Sequence, residues 1–231
     1  MADIAIVGAP FADGADNGGD VTLTLPSGMQ LRDVVLVFGG HTHRAGSPLG
    51  PSTLGYTECV TPHTAAAPNF GAWCKVMGSS PDADVVLFGS GNAVDSCVYA
   101  GWVFRGVDPS VIFDATATVS GPTTGTNPDS PEIVTVTAGA WVLTVAGSVV
   151  GDTEPGTPTD YENLAFDFQT DGTSFTAAGA TRLLVAAGAE DPGAFPTWSS
   201  GDWYAITLAL RPSLGGSGGA ASGLLTIGAG S

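Results

Sequence analysis

The residues with the most chemical potential are His41-Thr42-His43, two imidazoles at i and i+2. On an extended backbone such positions share a face, so both could reach one zinc ion, with His63, Cys59 or Glu58 as a third ligand. No third ligand stands at a fixed spacing. The pattern therefore predicts two exposed loop histidines after a strand, beside Arg44, rather than a metal centre. Asp13, Asp16 and Asp20 offer hard oxygens suited to calcium. The segment lacks the acidic twelfth position of an EF-hand, and its Asp-Gly and Asn-Gly pairs are ordinary turn residues, so it reads as a loop.

Nucleophilic and acid–base chemistry have less to work with. There is no Gly-x-Ser-x-Gly elbow, and Phe88-Gly89-Ser90-Gly91 reads as a turn. The acids a glycosidase would need to face across a cleft (Asp108, Asp114, Asp152, Glu154, Asp160, Glu162, Asp167, Asp171) fall mostly in loop-like sequence. No Gly-rich phosphate loop is present. These absences predict a non-enzyme with no cofactor. Among the aromatic residues, Trp102, Trp141 and Trp203 sit inside apolar runs and read as core. Trp198, in Phe195-Pro196-Thr197-Trp198-Ser199, is the best candidate for an exposed ring that meets a ligand or partner.

Charge narrows the partners. The chain has 6 Lys and Arg against 22 Asp and Glu, a formal net charge of -16, and its only lysine is Lys75. Nucleic-acid binding needs clustered cations, and none exist, so nucleic acid is excluded as a direct ligand. An anionic membrane surface is disfavoured for the same reason. The N-terminus has no basic region followed by an apolar core, and no segment is long enough to span a bilayer, which predicts cytoplasmic synthesis without membrane insertion. Cys59, Cys74 and Cys97 are odd in number and lie in strand-like sequence, so they are expected to be reduced core thiols; no pairing among them can be assigned.

The elements that must position these groups are strands. Val21-Thr22-Leu23-Thr24-Leu25 alternates apolar and polar residues, as a strand with one wet face does. Val34 to Phe38, Asp84 to Phe88, Ala93 to Phe104, Ile133 to Thr137 and Ala140 to Val149 are rich in β-branched and aromatic residues. So are Leu164 to Phe168, Arg182 to Ala187 and Trp203 to Leu210. With Asn69 to Met77 this predicts about ten strands in an all-β antiparallel sandwich, jelly-roll-like in type. Segments 120–131 and 151–160 read as surface loops. The expected organisation is an N-terminal arm or loop over 1–19, a sandwich over 20–212, and a Gly/Ser-rich tail over 213–231. That tail ends in a short apolar strand whose Leu224, Leu225 and Ile227 are expected to dock on a partner.

Three segments carry a family resemblance: Arg32-Asp33-Val34-Val35-Leu36-Val37-Phe38, then Trp102-Val103-Phe104-Arg105-Gly106-Val107-Asp108-Pro109. The third is Gly201-Asp202-Trp203-Tyr204-Ala205-Ile206-Thr207-Leu208-Ala209-Leu210-Arg211-Pro212. In order and wording these resemble β-sandwich virion structural proteins of tailed bacteriophages and gene-transfer particles, with Arg32 standing where that group has Gly. The likeness spans roughly residues 20 to 212. It implies a capsid decoration, head-fibre or minor tail protein resident in the virion, contacting major capsid or tail subunits and other copies of itself. No catalytic residue comes with it. A carbohydrate-binding module that attaches to a host surface glycan is the alternative. Within the second segment, Arg105 is expected to pair with Asp108 or Asp114.

Overall fold

The computed structural model describes residues 3–42, 48–150, 154–170 and 173–213, and every regular element among them is a β-strand. The first half of the chain holds β1 (Ala5–Ile6), β2 (Phe11–Ala15), β3 (Val21–Thr24), β4 (Val34–His41), β5 (Thr57–Glu58), β6 (Asn69–Val76), β7 (Asp84–Leu87) and β8 (Cys97–Arg105). The second holds β9 (Thr118–Gly125), β10 (Asp129–Ser130), β11 (Ile133–Val134), β12 (Trp141–Ser148), β13 (Glu162–Gln169), β14 (Phe175–Leu183), β15 (Ala189–Glu190), β16 (Gly193–Ala194) and β17 (Gly201–Leu210). All strand ladders are antiparallel, and the protein is an all-β sandwich.

The first sheet runs β5-β6-β4-β8, with β1 and β2 both paired to the far side of β8; the second runs β13-β14-β12-β17-β9. Alternation decides what each face does. Val34, Leu36 and Phe38 of β4 point between the sheets, where they meet Leu143, Val145, Ile206 and Leu208. Val35 and Val37 point the other way, into a second apolar layer closed by the β3–β7 ribbon through Val21, Leu23, Val85 and Leu87. On the outside of the second sheet, Val142, Ala146 and Ala205 lie beneath Ile133, Tyr161, Phe195 and Trp198. Three apolar layers therefore stack through the molecule. Strands buried on both faces read as unbroken apolar runs, which is why Val34 to Phe38 does not alternate in sequence while β3 does.

The two sheets are built alike. Central β4 pairs along all its residues with β6 on one side and β8 on the other, and β12 does the same with β14 and β17. Val34 and Trp141 are 107 positions apart, as are Asn69 and Thr176, while Cys97 and Trp203 are 106 apart. β2 and β9, each flanking the last long strand of its half, start 107 positions apart at Phe11 and Thr118. The inward positions correspond too: Val34, Leu36 and Phe38 match Trp141, Leu143 and Val145. Like face meets like face, the arrangement of an isologous two-fold contact, here inside one chain. Few identities mark the repeat (Val35 and Val142, Leu36 and Leu143, Gly40 and Gly147), so it lies in register rather than in wording.

Several expectations need correction. Residues 3–19 are not a bare lead-in loop, because β1 and β2 within them extend the first sheet along β8. Segment 120–131 carries most of β9 and all of β10; its Thr-rich composition suits an edge strand with wet faces. The strand expected over 182–187 ends at Leu183 and begins at Phe175. Small residues (Ala177, Ala178, Gly179, Ala180) hid its first half from a hydrophobicity reading. A jelly roll passes back and forth between its sheets, whereas here residues 5–105 supply the whole first sheet and 118–210 the whole second. Leu224, Leu225 and Ile227 lie outside the described residues.

The fit between sheets is large against small. Phe38, Phe70, Trp102 and Phe104 project from the first sheet, and Phe38 stacks on Trp102 at 5.1 Å. Opposite them the second sheet presents glycines: a Cβ on Gly147 would fall 2.3 Å from Phe70, and one on Gly179 would fall 2.5 Å from Trp102 and 2.8 Å from Phe38. Trp102 also donates its indole N–H to the Asn163 carbonyl at 2.9 Å, beside the register shift in β13 between Glu162 and Ala165. Gly179→Ala is thus expected to destabilise by about 1–3 kcal/mol through overpacking, although glycine-to-alanine is favourable in an unstrained strand. Urea unfolding of the variant beside the wild type checks this, and unchanged stability would mean the aromatic layer yields freely.

Candidate functional site

His41 is the last residue of β4, with Asn69 of β6 and Cys97 of β8 as its cross-strand partners. It is fully buried, contrary to the expected exposed loop position. Its Nε2 lies 3.1 Å from the Pro48 carbonyl and its Nδ1 3.5 Å from the Asn69 amide. Thr42 follows and donates to Asp95 at 3.4 Å, and Ser96 donates to Asp16 at 3.3 Å. The end of the first sheet is therefore a polar layer in which side chains tie the strand ends to the neighbouring loops. His43 and Arg44 lie outside the described residues.

The proposed third ligands serve elsewhere. His63 pairs through its backbone with Phe70, and its ring sits 4.9 Å from that of Tyr204. Cys59 donates its amide to the Ala72 carbonyl, and Glu58 is opposite Trp73 on β6. Among the described residues no three His, Cys, Asp or Glu side chains are grouped to hold a metal ion. The acids with oxygens suited to calcium also part company: Asp13 accepts from Gly14 N–H, Asp16 from Ser96, and Asp20 from Gly89 N–H.

The buried charges act as stitches between elements. Asp33 is 1 % exposed and forms a two-pronged pair with Arg105, at 2.9 and 2.8 Å, while also accepting from Gln30 N–H at 2.7 Å. Arg105 adds a bond to the Gly28 carbonyl and thereby pins the loop before β4 to the end of β8. This corrects the expected pairing of Arg105 with Asp108 or Asp114. Asp108 instead accepts from Ser110 N–H, and Asp114 accepts from the amides of Val136 and Thr137 at 2.6 and 3.0 Å. The Asp33 carboxylate raises the Arg105 pKa further, chiefly through the hydrogen bonds.

The repeat has matching stitches. Lys75 on β6 pairs with Asp82 at 2.6 Å, and Arg182, its counterpart on β14, pairs with Glu190 at 2.8 Å. In both halves a cation on the flanking strand holds the covering layer that follows it. Tyr161 donates to the same Glu190 oxygen at 3.1 Å. Burial, then the adjacent Glu190 charge, push the Tyr161 hydroxyl well above the usual phenol range, so it stays a donor. Arg105 reaches Asp33 over 72 positions, while Lys75 and Asp82 are 7 apart and Arg182 and Glu190 8, each pair closing across a turn that leaves the strand. No strand or helix spacing marks such pairs, which is why sequence reasoning missed Asp33, Asp82 and Glu190.

Trp198 is 3 % exposed and packs edge-on against Phe195 at 5.6 Å, so the expected exposed ring is a core residue of the outer layer. The Pro196–Thr197 turn around it is polar, but it folds the ring inward. Trp102, Trp141 and Trp203 are buried, as their apolar settings predicted. The three cysteines are free thiols. Burial pushes the Cys97 thiol up to about 11, while hydrogen bonding from Cys59 holds the Cys74 thiol below its ordinary value. No family model matches this chain, and no curated protein or solved structure matches it.

Burial holds the His63 pKa below its ordinary 6.5. Between the lowered value and 6.5 the unfolded chain binds a proton that the folded chain does not, so stability falls as pH drops through that window. Lowering the pH from about 7.5 to about 5.5 is expected to reduce the unfolding free energy of the wild type more than that of His63→Phe, which keeps a ring beside Tyr204. Equal pH slopes for the two proteins, followed by urea unfolding, would remove His63 from the account.

Proposed function

We propose that this chain is a non-enzymatic accessory structural protein of a phage virion, a capsid decoration or head-fibre protein, with minor tail protein as the nearest relative role. The observation that carries the reading is where the three segments behind the family resemblance meet. Asp33, at the head of the first segment, is ion-paired with Arg105 of the second. Asp108 of the second donates its amide to the Arg211 carbonyl of the third at 2.9 Å, and Ser213 returns a bond to Gly106 at 2.7 Å. The three segments therefore meet in one knot that joins both halves of the repeat. Its residues hold chain to chain and present no reacting group.

The wider architecture supports the same reading. Three apolar layers and charge-stitched covers hold the domain together. Such a module is recruited by surface area rather than by chemistry, and its net charge of -16 suits a basic partner surface. Trp198, the ring a host glycan would have met, is buried, so the structural role is preferred to the carbohydrate-binding one.

Imaging purified native particles at a resolution that traces the chain tests the proposal. Density on the capsid lattice or its vertices is the expected result. Density at the tail tip would move the assignment to minor tail protein, and absence from particles would end the virion reading. Removing residues 214–231 is expected to leave the unfolding midpoint unchanged while lowering incorporation into particles. Undiminished incorporation would show that Leu224, Leu225 and Ile227 are not the anchor.

A further inference from the structure

Cys59 and Cys74 occupy a geometry that their separation in sequence conceals. Thr57 of β5 lies directly opposite Cys74 of β6, and Glu58 opposite Trp73. The Cys59 amide donates to the Ala72 carbonyl at 2.9 Å, so the pairing continues one rung beyond the strand. Residues 57 and 59 share a face of the ladder, and so do 72 and 74, which makes Cys59 and Cys74 diagonal neighbours on the same face. Both side chains pack into the layer between the sheets. Thr57 brings its hydroxyl to 3.8 Å from the Cys74 sulfur.

Cys97 is placed quite differently. It lies opposite His41 on β8, at the other end of β4 from the Leu36–Cys74 rung, and its side chain belongs to the outer apolar layer. A whole sheet separates it from the other two sulfurs.

We infer that Cys59 and Cys74 form an oxidisable pair that closes into a disulfide clipping β5 to β6, with Cys97 remaining a free thiol. Diagonal neighbours stand slightly farther apart than a disulfide requires, about 7–8 Å against a usual upper limit of about 6.8 Å between Cα atoms. The small approach needed falls on β5, a two-residue strand at the edge of its sheet with no neighbour on its outer side among the described residues. An oxidant has a way in. Cys59 is only partly buried and lines a cleft of about 490 Å³ together with Val111, Phe113, Ala117 and Arg211.

With oxidised glutathione as the oxidant, the Cys59 thiolate attacks one of its sulfurs and expels a glutathione thiolate. Cys74, deprotonated in turn, attacks the Cys59 sulfur and expels the second glutathione thiolate. The two protein thiols lose two electrons to the glutathione disulfide, and their two protons end on the two glutathione thiols. The pair stays open in a reducing compartment and closes where the surroundings oxidise. This inference is independent of the virion reading, since it concerns the isolated chain.

The test incubates the full-length folded protein with oxidised glutathione, quenches with acid, alkylates in denaturant and maps the peptides by mass spectrometry. The expected product is a Cys59–Cys74 cross-linked peptide with Cys97 alkylated. Titratable thiols then fall from three to one in the wild type and from two to none in Cys97→Ser, and dithiothreitol restores them. Cys59→Ser should form no intramolecular disulfide. Three unchanged thiols, a glutathione adduct persisting on Cys59, or a cross-link that includes Cys97 would each overturn the inference.

Discussion

The interlock of aromatic rings with glycines between the two sheets is the constraint on which the rest of the structure depends. Phe38, Phe70 and Trp102 need hollows, and Gly147 and Gly179 provide them only while both sheets hold their register. A slip of one residue in either sheet would turn these side chains to the opposite face. The central strands β4 and β12 fix that register by pairing along their full length on both sides. Alternate residues of the same strands point away from the middle layer, and in both sheets these outward positions are apolar too. The covering segments close over these positions.

Electrostatics in this molecule is local. The chain is strongly acidic overall, yet its few cations stand where a cover must be fastened: Lys75 to Asp82, Arg105 to Asp33, Arg182 to Glu190. A nearly buried carboxylate such as Asp33 is tolerable because Arg105 and a backbone amide satisfy it together. Each of these three cations fastens a particular segment.

Fold class was legible in the sequence wherever composition and burial agree. The β-branched runs of β4, β8, β12 and β17 declared themselves, as did the alternating β3. What stayed hidden were strands made of small or polar residues, because alanine and glycine in β14 and threonine in β9 carry no apolar signal. Their role exists only relative to the aromatic sheet opposite. The duplication escaped for a related reason: Phe70 corresponds to Ala177 and Trp102 to Leu208, so equivalent positions hold complementary rather than similar residues. Among the candidate site residues, His41 looked exposed because a strand end and a loop are alike in sequence. Trp198 misled because its neighbours are turn residues. The partner of Arg105 depends on long-range pairing that no local spacing encodes, and Arg182 meets Glu190 only because the chain turns back between them.

The two halves of the repeat also share out the rings of the middle layer between them. Where Phe38, Phe70 and Trp102 of the first half project, the second half gives way at Gly147 and Gly179, and Trp141, Phe175 and Tyr204 of the second half fill the layer elsewhere. A larger residue in one half at these points must be answered by a smaller one in the other, so the two halves are bound to vary as a pair and not singly.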